Sequence, residues 1–286
     1  MNESLELFVS SWALFREPTL AGVLAGALLG YLGVFIVLRR MVFVSAALSQ
    51  SAGLGVTLAF YAQLVLDLPE SPAWPLLGAV TLTLLAAGAI GVNERRQRLR
   101  TESLLGAMYL VGAAGALALG TRVPQEAHDI ESLLFGSAVA LLPGAFVTLV
   151  TTVVVLLLLH IWLRRGFTQA SFDRDGALVR GLPVRLLEAL LLGSIAIAIA
   201  MTTRILGALP VFAFSVLPAM AALRLVSNVP RALFVATAFG ALSGLLGYIA
   251  AFLFELPVGA SQTLCAALLV VVSGLIAALP RAQALR

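Results

Sequence analysis

Long apolar runs recur along this chain so regularly that almost nothing but a stack of membrane helices can be built from it. Nine stretches, 18–39, 41–65, 73–92, 103–120, 136–163, 186–203, 205–223, 232–254 and 258–279, are dominated by aliphatic and small residues. Each has the length of about 20 residues that a helix needs to cross the hydrocarbon layer. A soluble domain carries roughly 25% charged residues; here 11% of 286 residues are charged and 61% are hydrophobic. In hydrocarbon every backbone N–H and C=O must be satisfied internally, and a helix does this within one segment. The fold class is therefore read as all-α, a polytopic membrane bundle of about nine transmembrane helices forming a single transmembrane domain, 1–286. No soluble domain, long linker or low-complexity stretch interrupts it. The opening MNESLELFVSSW lacks the positive n-region of a cleavable signal, so it is expected to belong to the mature protein.

Orientation follows from arginine, the residue that supplies all 18 Lys+Arg positions. In a nine-span arrangement Arg39, Arg40, Arg95, Arg96, Arg98, Arg100, Arg164, Arg165, Arg174, Arg180, Arg185, Arg224, Arg231, Arg281 and Arg286 share one side, against Arg16, Arg122 and Arg204 on the other. The positive-inside rule makes the first side cytoplasmic, with the N-terminus outside and the C-terminus inside. An eight-span arrangement would strand one arginine-rich loop on the wrong side. The net charge of +4 thus belongs to short loops, and a nucleic-acid partner is not needed to explain it.

Within the second run, Met41 to Phe60 is unusual in its polarity. Ala46, Gln50, Gly53 and Thr57 stand at i, i+4, i+7 and i+11, so a helix places them on one face, with Ser45 and Ser49 beside it. An amide and several hydroxyls in hydrocarbon need partners, which points this face into the bundle. Two readings stay open: packing between helices, where small and hydroxylated residues are common, or the wall of a water-filled path. In span 205–223, Pro210 and Pro218 each remove a backbone donor, and broken helices are where ion and substrate contacts are made in many transporters. Thr202, Thr203 and Arg204 are expected to form the short link before it. Gly22, Gly26, Gly30 and Gly33 in the first run form a ladder suited to close helix packing.

Two loops carry further signals. Glu126, His128, Asp129 and Glu131 gather metal-capable groups on the outer side, and His128 with Glu131 would share a helix face at i, i+3. Ordinary solvated loop chemistry is the preferred explanation of them. The segment 171–185 reads as a short amphipathic cytoplasmic helix. Asp173 is its N-cap, Asp175 lies in the first turn, Ala177, Leu178 and Leu182 are its apolar residues, and Gly181 with Pro183 ends it. Such a helix either lies at the membrane surface or is a place for a motor subunit to push. His160 and the single Cys265 are isolated in apolar surroundings, and no P-loop motif is present, so any ATP must be hydrolysed by another chain.

Four stretches in order, LRRMVFVSAALSQSAGLGVTLAF, SLLFGSAVAL, SFDRDGALVRGLPVRLLEALLL with RILGALPVFAFSVLPAMAALRL, and FELPVGASQTL, resemble the permease subunit of bacterial ATP-binding-cassette importers for zinc, manganese and iron. The resemblance spans nearly the whole chain. It implies an ATP-driven importer subunit in the bacterial inner (cytoplasmic) membrane that forms the path for a divalent metal and is not itself an enzyme. No cofactor would be bound by this chain. The implied partners are a second permease copy in a homodimer, a cytoplasmic ATPase docked on the segment 171–185, and an extracytoplasmic metal-binding protein. One departure bears on the substrate. The family pattern resembles GDALSHAxLxG, with an aspartate and a histidine as intramembrane metal ligands, where this chain has Ala46 and Gln50. Carboxylate and imidazole suit zinc or manganese, whereas Gln50 offers only a neutral carbonyl oxygen. The metal ligands therefore stay undetermined, with Gln50 a weak candidate and His128 and Glu131 an alternative.

Two other function classes compete. A membrane-embedded enzyme would need paired catalytic groups at membrane depth, and the runs contain no such pair. A permease-fold protein with a different substrate, or with a regulatory or structural role, is compatible with the altered pair. For topology, a reporter fused after Arg286 is expected to read cytoplasmic and one inserted at Pro69–Ser71 external; a shared side for both ends of the chain would overturn nine spans.

Overall fold

The structure, a computed structural model, describes residues 10, 12–69, 71–96, 100–123, 141 and 144–284. Among the described residues ten helices follow one another: α1 (Trp12–Leu38), α2 (Val42–Leu66), α3 (Ala73–Arg96), α4 (Thr101–Gly120), α5 (Ala145–Phe172), α6 (Arg174–Val179), α7 (Val184–Leu206), α8 (Ala208–Leu225), α9 (Val229–Phe254) and α10 (Val258–Ala284). All but α6 are long and apolar enough to cross a membrane, which makes nine candidate spans among the described residues. No strand occurs there. The all-α, nine-span expectation is met, and the chain is a multi-pass membrane protein.

The chain divides into two compact units, one comprising 1–42, 131–150 and 205–286, the other 43–130 and 151–204. In the first, α1 is the central helix, packed against α8 and α9, and α10 packs on both of those. The glycine ladder explains why. A β-carbon on Gly26 would collide with the carbonyl of Gly240, one on Gly30 with that of Ala236, and one on Gly244 with that of Gly22. As the index rises by four on α1 it falls by four on α9, the register of two antiparallel helices. Gly33 meets the carbonyl of Ser215 on α8 in the same way. Lipid tails are as apolar as leucine, so helices in a bilayer are held by close packing, which the missing side chains allow. An antiparallel first and eighth span is also what a chain that crosses at every helix requires.

In the second unit α2 is the enclosed helix. Gly55 of α2 and Gly78 of α3 press backbone to backbone, and Gly112 of α4 lies against the backbone of Gln50. Outward-facing apolar side chains such as Leu110, Val111, Ile161 and Trp162 are exposed, as residues facing lipid should be.

Three boundaries differ from the expectations. The fifth helix is not 136–163 but begins at Ala145, behind Gly144 at φ 82°, and runs past Arg164 and Arg165 to Phe172. Arginines end a membrane crossing without ending a helix, because they extend into the headgroups while the backbone stays helical. Thr202, Thr203 and Arg204 are helical, and the break falls at Gly207, with φ 89°. A left-handed position of this kind favours glycine. Pro210 consequently lies in the first turn of α8, where a missing N–H costs nothing, and only Pro218 lies deep within that helix. The expected Glu126, His128, Asp129 and Glu131 cluster lies outside the described residues.

Gly26→Val is expected to destabilise the protein by about 1–3 kcal/mol through overpacking against α9. Gly88→Ala, where no described atom lies within 4 Å of the added carbon, is expected to lose no stability and to gain up to about 1 kcal/mol. Thermal melts of both purified variants in detergent check the contrast, and equal melting points would refute it.

Candidate functional site

The polar face of α2 is inside the protein. Ser45, Ser49 and Thr57 are 0%, 1% and 0% exposed, and Ala46 is 5% exposed. Most of its hydroxyls are satisfied by their own helix. Ser49 Oγ donates to the Ala46 carbonyl at 3.0 Å, Ser51 Oγ to Ala47 at 2.9 Å, and Thr57 Oγ1 to Gly53 at 3.0 Å. Such back-bonds remove the cost of burying a hydroxyl, so these groups do not by themselves demand water or a neighbour.

Gln50 is different. It is 8% exposed and carries a neutral amide rather than a hydroxyl that can bond a carbonyl of its own helix. An amide held in apolar surroundings without a partner costs on the order of 1–3 kcal/mol, so it belongs beside water or a passing solute. One helical turn on, the buried Gly53 shares its face, and a β-carbon built there meets nothing within 4 Å among the described residues. Two residues further, the β-carbon of Gly55 would strike α3. The Gln50–Gly53 face of α2 therefore borders a hollow, while the neighbouring faces are packed.

Walls of this region were not legible beforehand. On Gly112 a β-carbon would sit 2.8 Å from the Gln50 carbonyl carbon and 2.9 Å from both its Cβ and its O. On Gly115, one turn along α4, it would sit 2.9 Å from Leu54 Cδ1. A pair of glycines three apart in an apolar run is a weak sequence signal of such contact.

Pro210 and Pro218 are both buried on α8, in the other compact unit, and Ser215 Oγ donates to the Phe212 carbonyl at 2.8 Å between them. No group of three or more His, Cys, Asp or Glu side chains is assembled among the described residues. His160, which had looked isolated, is buried on α5 and lies 2.8 Å by its Nε2 from Ser194 Oγ on α7.

The segment 171–185 has the predicted geometry. Asp173 Oδ1 accepts from the Gly176 N–H at 3.0 Å, Asp175 stands in the first turn, and Gly181, at φ 74°, lies just beyond the end of the helix. Gly176 leaves the room in which the Asp173 carboxylate folds over this turn. Ala177 is buried at 1%, whereas Leu178 is 55% and Val179 89% exposed. Arg174 pairs with Glu188 at 3.4 Å, joining α6 to the first turns of α7.

A family model described as the ABC 3 transport family matches residues 11–277. The chain belongs to that family. It is 29% identical over 258 residues to an uncharacterised membrane protein of Synechocystis sp., covering 90% of this chain and 89% of that one. It is 26% identical over 260 residues to the manganese transport system membrane protein MntC of Halalkalibacterium halodurans, covering 91% of this chain and 86% of that one. Among solved structures it matches PsaBC from Streptococcus pneumoniae in complex with Fab, with a TM-score of 0.82, 23% identity, and coverage of 96% and 95%. This last likeness establishes the fold. The resemblance to metal importer permeases is borne out, and the family member is a transport subunit rather than an enzyme.

Asp173→Ala is expected to cost about 1 kcal/mol of local stability by leaving the Gly176 N–H without its acceptor, and Asp173→Ser to restore most of it. Hydrogen exchange across 173–180 measures the difference; unchanged protection in the alanine variant would show that the cap contributes nothing.

Proposed function

We propose that this chain is the path-forming subunit of an ATP-driven importer for a divalent metal ion of the zinc or manganese class, and that the path runs along the Gln50–Gly53 face of α2. The observation that carries the path is the open space that the described residues leave beside the buried Gly53, on the same face as the largely buried Gln50, in a helix that Gly55 and Gly112 draw onto α3 and α4. Ser45, Ala46, Ser49 and Thr57 line the same helix, while the path candidates Pro210 and Pro218 belong to α8 of the other compact unit. The manganese named for the relative from Halalkalibacterium halodurans supports a metal cargo, and family membership supports ATP hydrolysis on a separate ATPase.

The ATPase would dock on 171–185. Asp173, Asp175 and Gly181 fix the short helix, Ala177 anchors it, and Leu178 and Val179 are left exposed for a partner. A homodimer, an extracytoplasmic metal-binding protein, and a bacterial inner membrane with the N-terminus outside complete the proposal. A second reading, a permease-fold protein with another substrate or a regulatory role, draws on the neutral character of Ala46 and Gln50, where no carboxylate or imidazole is available to hold a metal tightly.

Two measurements separate the readings. Leu178→Asp with Val179→Asp is expected to abolish co-purification of the ATPase without lowering the melting temperature, since both side chains are exposed. Ala46→Asp with Gln50→His is expected to tighten Zn²⁺ or Mn²⁺ binding by at least about tenfold, because a carboxylate and an imidazole one turn apart replace a methyl and an amide. Calorimetry on wild type and variant tests this. Equal affinity would place the ligands elsewhere, and no metal uptake by vesicles holding the complete transporter would favour the second reading.

A further inference from the structure

Two glycines separated by one residue in α2 have opposite surroundings. Gly55 is needed for packing, because its backbone touches that of Gly78. Gly53 has no such reason: it is buried, helical, at no left-handed φ, and among the described residues nothing stands within 4 Å of where its side chain would be. Glycine in a helix interior costs about 1 kcal/mol relative to alanine, so its lack of a side chain is unexplained by stability. The space it leaves lies on the face of Gln50, one turn away. That face, Ser45, Ala46, Ser49, Gln50, Gly53 and Thr57, contains no charged group and no imidazole. A divalent cation gives up its water only to ligands that replace it, and one neutral amide with hydroxyls already donating to their own helix is a poor replacement. Charge is missing where room is present.

We infer that Gly53 is a specificity-determining residue of the path, leaving the room in which a divalent cation passes the level of Gln50 with water still bound to it. The inference rests on the reading of this face as the path. Side chains introduced at position 53 would fill that room and oppose a hydrated ion more than they would disturb the fold, since among the described residues there is no atom for a first carbon to strike.

The test uses the complete transporter in vesicles, with Mn²⁺ uptake and melting temperature measured on a graded series. Gly53→Ala is expected to keep uptake within about twofold, and Gly53→Leu to lower it about tenfold or more, both melting near wild type. Gly55→Ala, the packing control, is expected to melt lower, and Gly88→Leu, an exposed position, to change neither quantity. Uptake by Gly53→Leu equal to wild type overturns the inference, as does a loss that only follows melting temperature. If the leucine variant does not fold, the Gly53 protein itself decides. In a Gln50→Cys, Cys265→Ser chain, a bulky cationic thiol reagent should react at a rate within about tenfold of a small neutral one, because the passage admits a hydrated ion. Reaction with the small reagent only would overturn the wide passage while leaving the path itself standing. No reaction with either reagent would remove the path reading, and the inference with it.

Discussion

The backbone contact between Gly26 and Gly240 is the interaction on which the first compact unit depends. In water two helices are driven together by burying apolar faces, but in a bilayer that drive is absent, and contact has to be won by the closeness of approach. Three glycine-mediated steps along α1 and α9, at 22 with 244, 26 with 240 and 30 with 236, hold one register over more than two helical turns. Sliding by one residue would put β-carbons into carbonyls. The same contact fixes the neighbours: with α1 pinned to α9, Gly33 brings Ser215 of α8 against the opposite end of α1, and Gln262 of α10 enters the notch left by Gly22 and Gly247. Its Nε2 donates to the Gly244 carbonyl at 3.3 Å, which ties α10 to the same seam.

In the second unit the same element type serves two ends. Gly55 and Gly112 draw α3 and α4 onto α2, whereas Gly53 keeps a face open. The hydroxyls of α2 bond their own carbonyls, which lets a polar helix be buried without neighbours supplying partners. Gln50 is too long for that device. Its amide extends away from the helix, on the face where the described residues leave open space beside Gly53.

What was legible in the sequence follows from which forces are local. Nine apolar runs announce nine helices because hydrophobic length and membrane thickness are matched residue by residue. The Asp173 cap was legible because donor and acceptor are three residues apart. The glycine ladder announced tight packing, though not its partner, since α9 lies some 200 positions away in the chain. The end of α5 was misplaced because Arg164 and Arg165 mark the headgroup level and not the end of hydrogen bonding. Pro210 looked like a breaker until Gly207 was seen to start a new helix just before it. Gly53 and Gly55 look alike in a sequence, and only the neighbouring helices tell them apart.

The misplaced end of α5 also bears on coupling. Had the helix stopped at Arg164, the segment 171–185 would hang from a loop, and a force applied to it would be absorbed by bending. The helix instead continues to Phe172, and Asp173 begins the next turn of structure directly. Contacts between α5 and α7 are spread along the pair: His160 with Ser194 deep in the span, Gly166 against Leu187 nearer the end, and then Arg174 with Glu188 at the surface. The ion pair is exposed and contributes little. The buried hydrogen bond and the glycine contact carry the connection, and they lie on the stretch that leads from the short helix into the bilayer. Under the proposed docking on 171–185, a push on α6 would be delivered to two helices braced against each other and would reach the membrane interior as displacement of the pair.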